Sequence, residues 1–276
     1  MTQTWLITGS SRGLGRALSE AVLQAGHRLV ATARDPAQLA GLADRYGDAV
    51  RAIALHVTDP VAAAHAVQTA QEAFGGLDVL VNNAGYGNVD SVEETSLEDF
   101  RQQIETNLFG TIIMTKAAIP LLREQRGGHI IQLSSVGGRV GAPGRAPYSA
   151  AKWGVEGFSE SLALEMALLG VRVTIVEPGG FRTDFAGAST SLREGRAEYD
   201  AVVGAAARRQ RDYDGKQPGD PARAAQAILQ LAGMQDPPLR LALGSDALAA
   251  IEAADLRRLE ALRRWRALSV STDFPA

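Results

Sequence analysis

The feature that most constrains this chain is an alternation. From its start to beyond its midpoint, short β-branched or apolar runs are separated by stretches of helical period, the pattern of successive βαβ units in a parallel sheet. Strands are expected at Trp5 to Thr8, Arg28 to Ala33, Ala49 to Val57 and Leu77 to Asn82, then at His129 to Leu133, Val171 to Val176 and Leu239 to Leu243. Between the first four, Gly13 to Ala25, Pro36 to Tyr46 and Pro60 to Phe74 read as helices, the latter two opening on Asp-Pro. A long helix is expected from Leu97 to Arg126, with Ser96 as its cap, a kink at Pro120 and a stop at Gly127-Gly128. A second runs from Pro147 or Tyr148 to Leu169, and a third from Asp220 to Ala232. The fold class that follows is α/β: a doubly wound parallel sheet of about seven strands with helices on both faces.

Nothing interrupts the alternation near the middle, so residues 1–276 are expected to form a single domain. Residues 184–219 are polar, rich in Gly, Ser and Arg, and weakly periodic; they read as a mobile flap with one or two helical turns over the substrate. The arginine-rich helix at 246–268 carries Leu256, Leu259, Leu262 and Trp265, read as core, with a subunit contact as the alternative.

Composition removes several function classes. A net charge of −3 gives no reason to expect nucleic acid or an anionic membrane as partner, which leaves a small molecule. With no cysteine, disulfides, thiolate nucleophiles and cysteine-ligated metals are excluded. His27, His56, His65 and His129 are too scattered to suggest a metal site, and none is expected. The N-terminus lacks a basic leader and no apolar run approaches the ~20 residues of a membrane helix, so a cytoplasmic location is expected.

Chemistry concentrates first in Thr8-Gly9-Ser10-Ser11-Arg12-Gly13-Leu14-Gly15, between the first strand and the first helix. In that setting Gly9 permits a tight turn, Gly13 lets backbone amides approach a pyrophosphate at the positive helix end, and Gly15 allows close helix-to-strand packing. Further along come Asn82-Asn83-Ala84-Gly85, Ser135, Tyr148-Ser149-Ala150-Ala151-Lys152 and Pro178-Gly179-Gly180-Phe181-Arg182-Thr183. In this order and spacing, over residues 4 to 184, the chain resembles the compact single-domain branch of the short-chain dehydrogenase/reductase superfamily. The resemblance implies a Rossmann fold, a nicotinamide cofactor and a homodimer or homotetramer. It implies cofactor contacts from Gly9, Ser11, Arg12, Gly13, Leu14, Gly15, Arg34, Val57, Asn83, Ala84, Gly85, Tyr148, Lys152, Pro178, Gly179 and Thr183.

The residues themselves suggest how such a site would work. A tyrosine hydroxyl, with a free pKa of about 10, can donate a proton at neutral pH but is a poor base for the reverse reaction. Lys152, one helical turn after Tyr148, puts an ammonium on the same face and favours the phenolate. Ser135 lies at the end of the fifth strand, where parallel sheets open their ligand crevice, while alternation turns Ser134 to the other face. The resemblance assigns Ser135 to the substrate oxygen and Asn107 to a water that links Lys152 to solvent. The reaction expected is hydride exchange between a ketone or aldehyde and its alcohol, with Tyr148 as acid/base. A cofactor-binding sensor or scaffold without turnover is the alternative, and an epimerase or dehydratase using the same Tyr-Lys pair is another.

Two positions bear on the cofactor. The second strand ends Ala33-Arg34, where an acidic side chain would hold the ribose of NAD(H); Arg34 and Arg12 suit the 2'-phosphate of NADP(H) instead. NADP(H) is therefore preferred, with NAD(H) possible because Asp35 follows and can face the ribose. Relatives carry Asp-Val where this chain has His56-Val57, and a neutral imidazole can accept the adenine's hydrogen bond in the carboxylate's place. Phe181, Phe185 and the alanine-rich flap suggest an apolar or aromatic ketone, while Arg182, Arg193 and Arg196 leave room for a carboxylate.

Overall fold

A computed structural model describes residues 2–187 and 189–274. The first half runs β1 (Thr4–Ile7), α1 (Gly13–Gln24), β2 (Arg28–Ala33), α2 (Ala40–Tyr46), β3 (Val50–Ala54), α3 (Pro60–Phe74), β4 (Val79–Asn82), β5 (Gly87–Val89), α4 (Leu97–Ile104) and α5 (Gly110–Gln125). The second half adds β6 (Gly128–Leu133), α6 (Ala146–Ala167), β7 (Val171–Pro178), β8 (Thr190–Leu192), α7 (Ala205–Tyr213), α8 (Pro221–Ala232), β9 (Arg240–Leu243) and α9 (Ser245–Val270). Helix starts follow local chemistry. Asp59 accepts from the Val61 and Ala62 amides ahead of α3, Ser96 from the Asp99 amide in α4, and Asp220 from the Ala222 amide in α8.

Seven strands form one parallel sheet in the order β3-β2-β1-β4-β6-β7-β9. The chain winds outward from β1 to β3, then returns to place β4 on the other side of β1, so a crevice opens beyond the carboxyl ends of β1 and β4. Both faces are covered. Trp5 and Ile7 pack with Leu18, Val22, Ile228 and Leu231 of α1 and α8, while Leu6 between them packs on the opposite face with Met114, Leu122, Leu162 and Met166 of α5 and α6.

Four expectations are corrected. The helix expected across Leu97 to Arg126 is α4 and α5 joined by a π-turn at Glu105–Phe109; regular α geometry is interrupted there, and α5 runs on through Pro120. That helix stops one residue early because Arg126 itself takes the left-handed conformation, φ 53°. Residues 184–219 hold more structure than one or two turns: β8 pairs in parallel with β5, and α7 follows. Leu256, Leu259, Leu262 and Trp265 of α9 are exposed, not core, and only Ala247, Ile251 and Ala254 are buried. Every described residue from Leu256 onward is exposed whichever way it faces, so this part of α9 has no core to pack into.

Candidate active site

Beyond the sheet's carboxyl edge lies a cleft of about 1270 Å³. Gly9, Arg12, Gly13 and Leu14 form one wall, Arg34, His56 and Val57 one end, and Asn83, Ala84 and Gly85 the floor. Ser135, Tyr148, Lys152, Pro178, Gly179 and Thr183 form the other wall. Three residues named from the sequence stand behind it: Ser11 is half-buried off the wall, while Gly15 and Asn107 are buried beneath it.

The glycine loop is tied to the floor by side chains. The Thr8 hydroxyl accepts from the Asn83 and Ala84 amides, both at 2.9 Å, and the Asn83 side-chain amide donates to the Thr8 and Gly9 carbonyls at 2.8 and 3.1 Å. Gly9 turns with φ 69°, and a Cβ on Gly15 would meet the Gly9 oxygen at 2.2 Å. The space is closed to any side chain, so α1 can start hard against the turn with its first amides facing the cleft. That cradle, with Arg12 and Arg34 on the same cleft, fits a dinucleotide phosphate.

Asp35 does not line the cleft; its carboxylate accepts from the Ala37 amide at 3.0 Å and caps the turn at Pro36–Leu39. His56 does line it, with Nδ1 2.7 Å from the Thr58 hydroxyl.

Helix α6 carries Tyr148 and Lys152 on its buried side. Burial pushes the Tyr148 phenol above its usual range, and the Ser135 hydroxyl and the Arg145 guanidinium pull it back down. Burial likewise lowers Lys152 to about 8, against a smaller opposing effect from Glu156 one turn on. The Lys152 ammonium lies 5.9 Å from the centre of the Tyr148 ring and donates to the Leu133 carbonyl at 2.7 Å. Ser135 Oγ accepts from the Gly137 amide at 3.0 Å, which fixes the hydroxyl at the end of β6. Ser134 is turned away toward Glu156, as alternation requires.

Asn107 sits within the π-turn, fully buried, with Oδ1 accepting from the Tyr86 amide at 3.1 Å and Nδ2 donating to the Tyr86 carbonyl at 2.8 Å. A Cβ on Gly85 would lie 2.8 Å from Asn107 Oδ1 and 3.8 Å from Lys152 Nζ, so glycine keeps the amide and the ammonium on one small space. Behind α6, Glu156 accepts from Arg240 at 3.0 Å, and Glu177 pairs with Arg139 at 2.9 Å, bracing the site from β7 and β9.

A sequence profile of the short chain dehydrogenase family matches residues 3–194. The chain belongs to the short-chain dehydrogenase/reductase superfamily. This oxidoreductase is 45% identical over 274 residues to the oxidoreductase BOA17 of Botryotinia fuckeliana, covering 99% of this chain and 100% of that one. A short-chain dehydrogenase from Streptomyces avermitilis superposes with a TM-score of 0.92 at 38% identity, over 99% of this chain and 98% of that one. An alcohol dehydrogenase from Thermococcus sibiricus, complexed with 5-hydroxy-NADP, gives 0.73 at 25% identity, over 88% and 96%. Short-chain dehydrogenase/reductases bind NAD(P)(H), in keeping with the cradle above.

The geometry also adds residues to this oxidoreductase's cleft that sequence reasoning did not name. Asp246, from α9, accepts from the Gly180 amide at 2.7 Å and anchors the Pro178-Gly179-Gly180 turn. Arg145, Tyr86, Gln210 and Tyr213 line the cleft as well. Tyr86 follows directly on the Asn82-Asn83-Ala84-Gly85 motif, Arg145 lies in the Val136 to Ala146 segment expected to wall the pocket, and Gln210 and Tyr213 lie in the expected flap, but only the folded chain shows which side chains of these segments line the cleft. Of the arginines considered for a carboxylate, Arg193 pairs with Asp90 and Arg196 with Glu93, Arg182 donates to the Gln217 carbonyl, and none lines the cleft.

Proposed function

We propose that this chain is an NADP(H)-preferring carbonyl reductase or alcohol dehydrogenase in which Tyr148 exchanges the proton with the substrate oxygen. The observation that carries the reading is the meeting of a buried tyrosine, a buried lysine and a strand-end serine on the same cleft as the glycine cradle. In reduction, the Ser135 hydroxyl donates a hydrogen bond to the carbonyl oxygen and orients it, and Tyr148 then donates its proton to that oxygen. The phenolate left behind is stabilised by the Lys152 ammonium. With a pKa near 8, Lys152 can give up a proton and recover it at physiological pH, through a water held by Asn107. In oxidation the same groups run in reverse.

The bound nicotinamide supplies or accepts the hydride. Gly9, Ser11, Gly13, Leu14 and Gly15 would hold the pyrophosphate at the start of α1, and Val57, Asn83, Ala84 and Gly85 the adenosine side. Pro178, Gly179 and Thr183 would hold the nicotinamide side, and residues 184–219 would close over the substrate. The preference for NADP(H) is supported by Arg12 and Arg34 on the cleft and by Asp35 being spent on a helix cap. His56 would face the adenine in place of the usual carboxylate.

Comparison of kcat/KM for NADPH and NADH across a panel of ketones and aldehydes tests this. NADPH should be favoured at least about tenfold, and Arg34→Ala should erase most of that ratio, as loss of a charge-assisted contact predicts. A preference for NADH would refute the phosphate clamp, and no carbonyl reduction with either cofactor would refute the reductase.

A further inference from the structure

Arg145 is a cation of the cleft that bears on the Tyr148 phenol through its charge but exchanges no proton in the proposed reaction and takes no part in the phosphate clamp. It caps α6 three residues before Tyr148, and its guanidinium stands 6.0 Å from the centre of the Tyr148 ring. Arg139, Arg193, Arg208 and Arg240 are each paired with carboxylates. Among the described residues no carboxylate oxygen lies within 4.0 Å of Arg145. Its side-chain acceptor is the neutral amide oxygen of Gln210, 2.8 Å from Nη2, and that amide is itself anchored through Nε2 to the Ala186 carbonyl at 3.1 Å.

Such a placement is unfavourable for the protein alone. Burial lowers the pKa of Arg145 from its ordinary value, which is the signature of a charge partly stripped of water. A guanidinium so placed is costly unless an anion meets it. The cleft it lines also carries Val136, Val140, Ala142 and Phe185, apolar side chains that favour a substrate with a short apolar chain.

We propose that Arg145 receives a carboxylate carried by the substrate, so that the physiological reaction interconverts an oxo acid and a hydroxy acid. The acid group would seat on the free edge of the guanidinium while the carbonyl reaches Tyr148 and Ser135. A carboxylate suits the site better than a phosphate. One planar fork beside one amide matches two coplanar oxygens, whereas a phosphate calls for more donors or a second cation. The inference rests on the reductase reading for its reacting carbonyl, but not for the anion site itself.

Two measurements separate the two. Pyruvate, acetoacetate and levulinate, each beside its methyl ester, are assayed for reduction by NADPH and titrated into the NADP+ complex, where no reduction can occur. At least one acid should exceed its own ester in both kcat/KM and affinity. Arg145→Gln should lower that acid-to-ester ratio by at least about 30-fold, as loss of one side of a buried charge pair predicts. Arg145→Lys, which keeps the charge and loses the fork, should fall between. Ratios that Arg145→Gln leaves as in the wild type, or a wild type that favours every ester, would overturn the carboxylate site while ester reduction left the reductase standing. Arg145-dependent binding of the acid without turnover of any carbonyl would support the site and overturn the reductase.

Discussion

Lys152 shows at the scale of one residue what this site demands of the fold. The residue is 5% exposed and its ammonium sits with a pKa near 8, below the 10.5 of a free lysine, because burial disfavours the charge. The unfolded chain therefore binds more protons than the folded one between these values, and stability rises with pH across that window. Above about 10.5 the burial carries no charge penalty; below about 8 the penalty is complete. Lys152→Met should thus abolish carbonyl reduction yet raise the protein's stability at pH 7 by about 1–3 kcal/mol, with the gain shrinking as pH rises past 8. Thermal melts from pH 7 to 10 check this, and a destabilised variant at pH 7 would show that the ammonium contributes more than it costs. Tyr148 and Lys152 were legible in the sequence through the motifs that carry the family resemblance, and their i,i+4 spacing fixed the shared helix face. Arg145 was not, since an arginine is read as functional only once the fold shows which carboxylates it lacks.

At the scale of the element, α6 carries Tyr148, Lys152 and Glu156 at successive turns on its inner side, and its outer side is free of such duties. Gly157 lies on that outer side, exposed, with nothing within 4 Å of an added Cβ. Gly157→Ala should therefore stabilise the protein by about 0.5–1 kcal/mol, read as a rise of a few degrees in the melting temperature with kcat unchanged. A fall would mean that this face packs against something. Helix starts were legible because their caps are local: Asp59 and Ser96 act on amides two or three residues away. The π-turn at Glu105–Phe109 was not. Nothing local marks it, yet it sets Asn107 against the Tyr86 backbone, a contact between positions 21 apart.

For the whole molecule, the parallel sheet and its two helical layers followed from the alternation of apolar runs, since each run pairs with neighbours it resembles and hides both faces. What escaped were pairings between distant, unpatterned segments. Three residues of β5 meet three of β8 a hundred positions later, and no periodicity can show in so short a run. The same holds for Asp246, which reaches from α9 to the turn after β7. The spacing in α9 misled because an apolar period in sequence does not show whether the fold supplies a surface for it, and beyond Asp255 every described residue of the helix is exposed. These long-range contacts all converge on one crevice at the switch between β1 and β4, and the account stands on the phenol held there. Tyr148→Phe removes one oxygen and leaves the ring against Phe185, 5.6 Å between centroids. With a carbonyl that the wild type reduces, NADPH consumption should fall at least about a hundredfold while NADPH still binds; turnover above about a tenth of wild type would contradict the assignment.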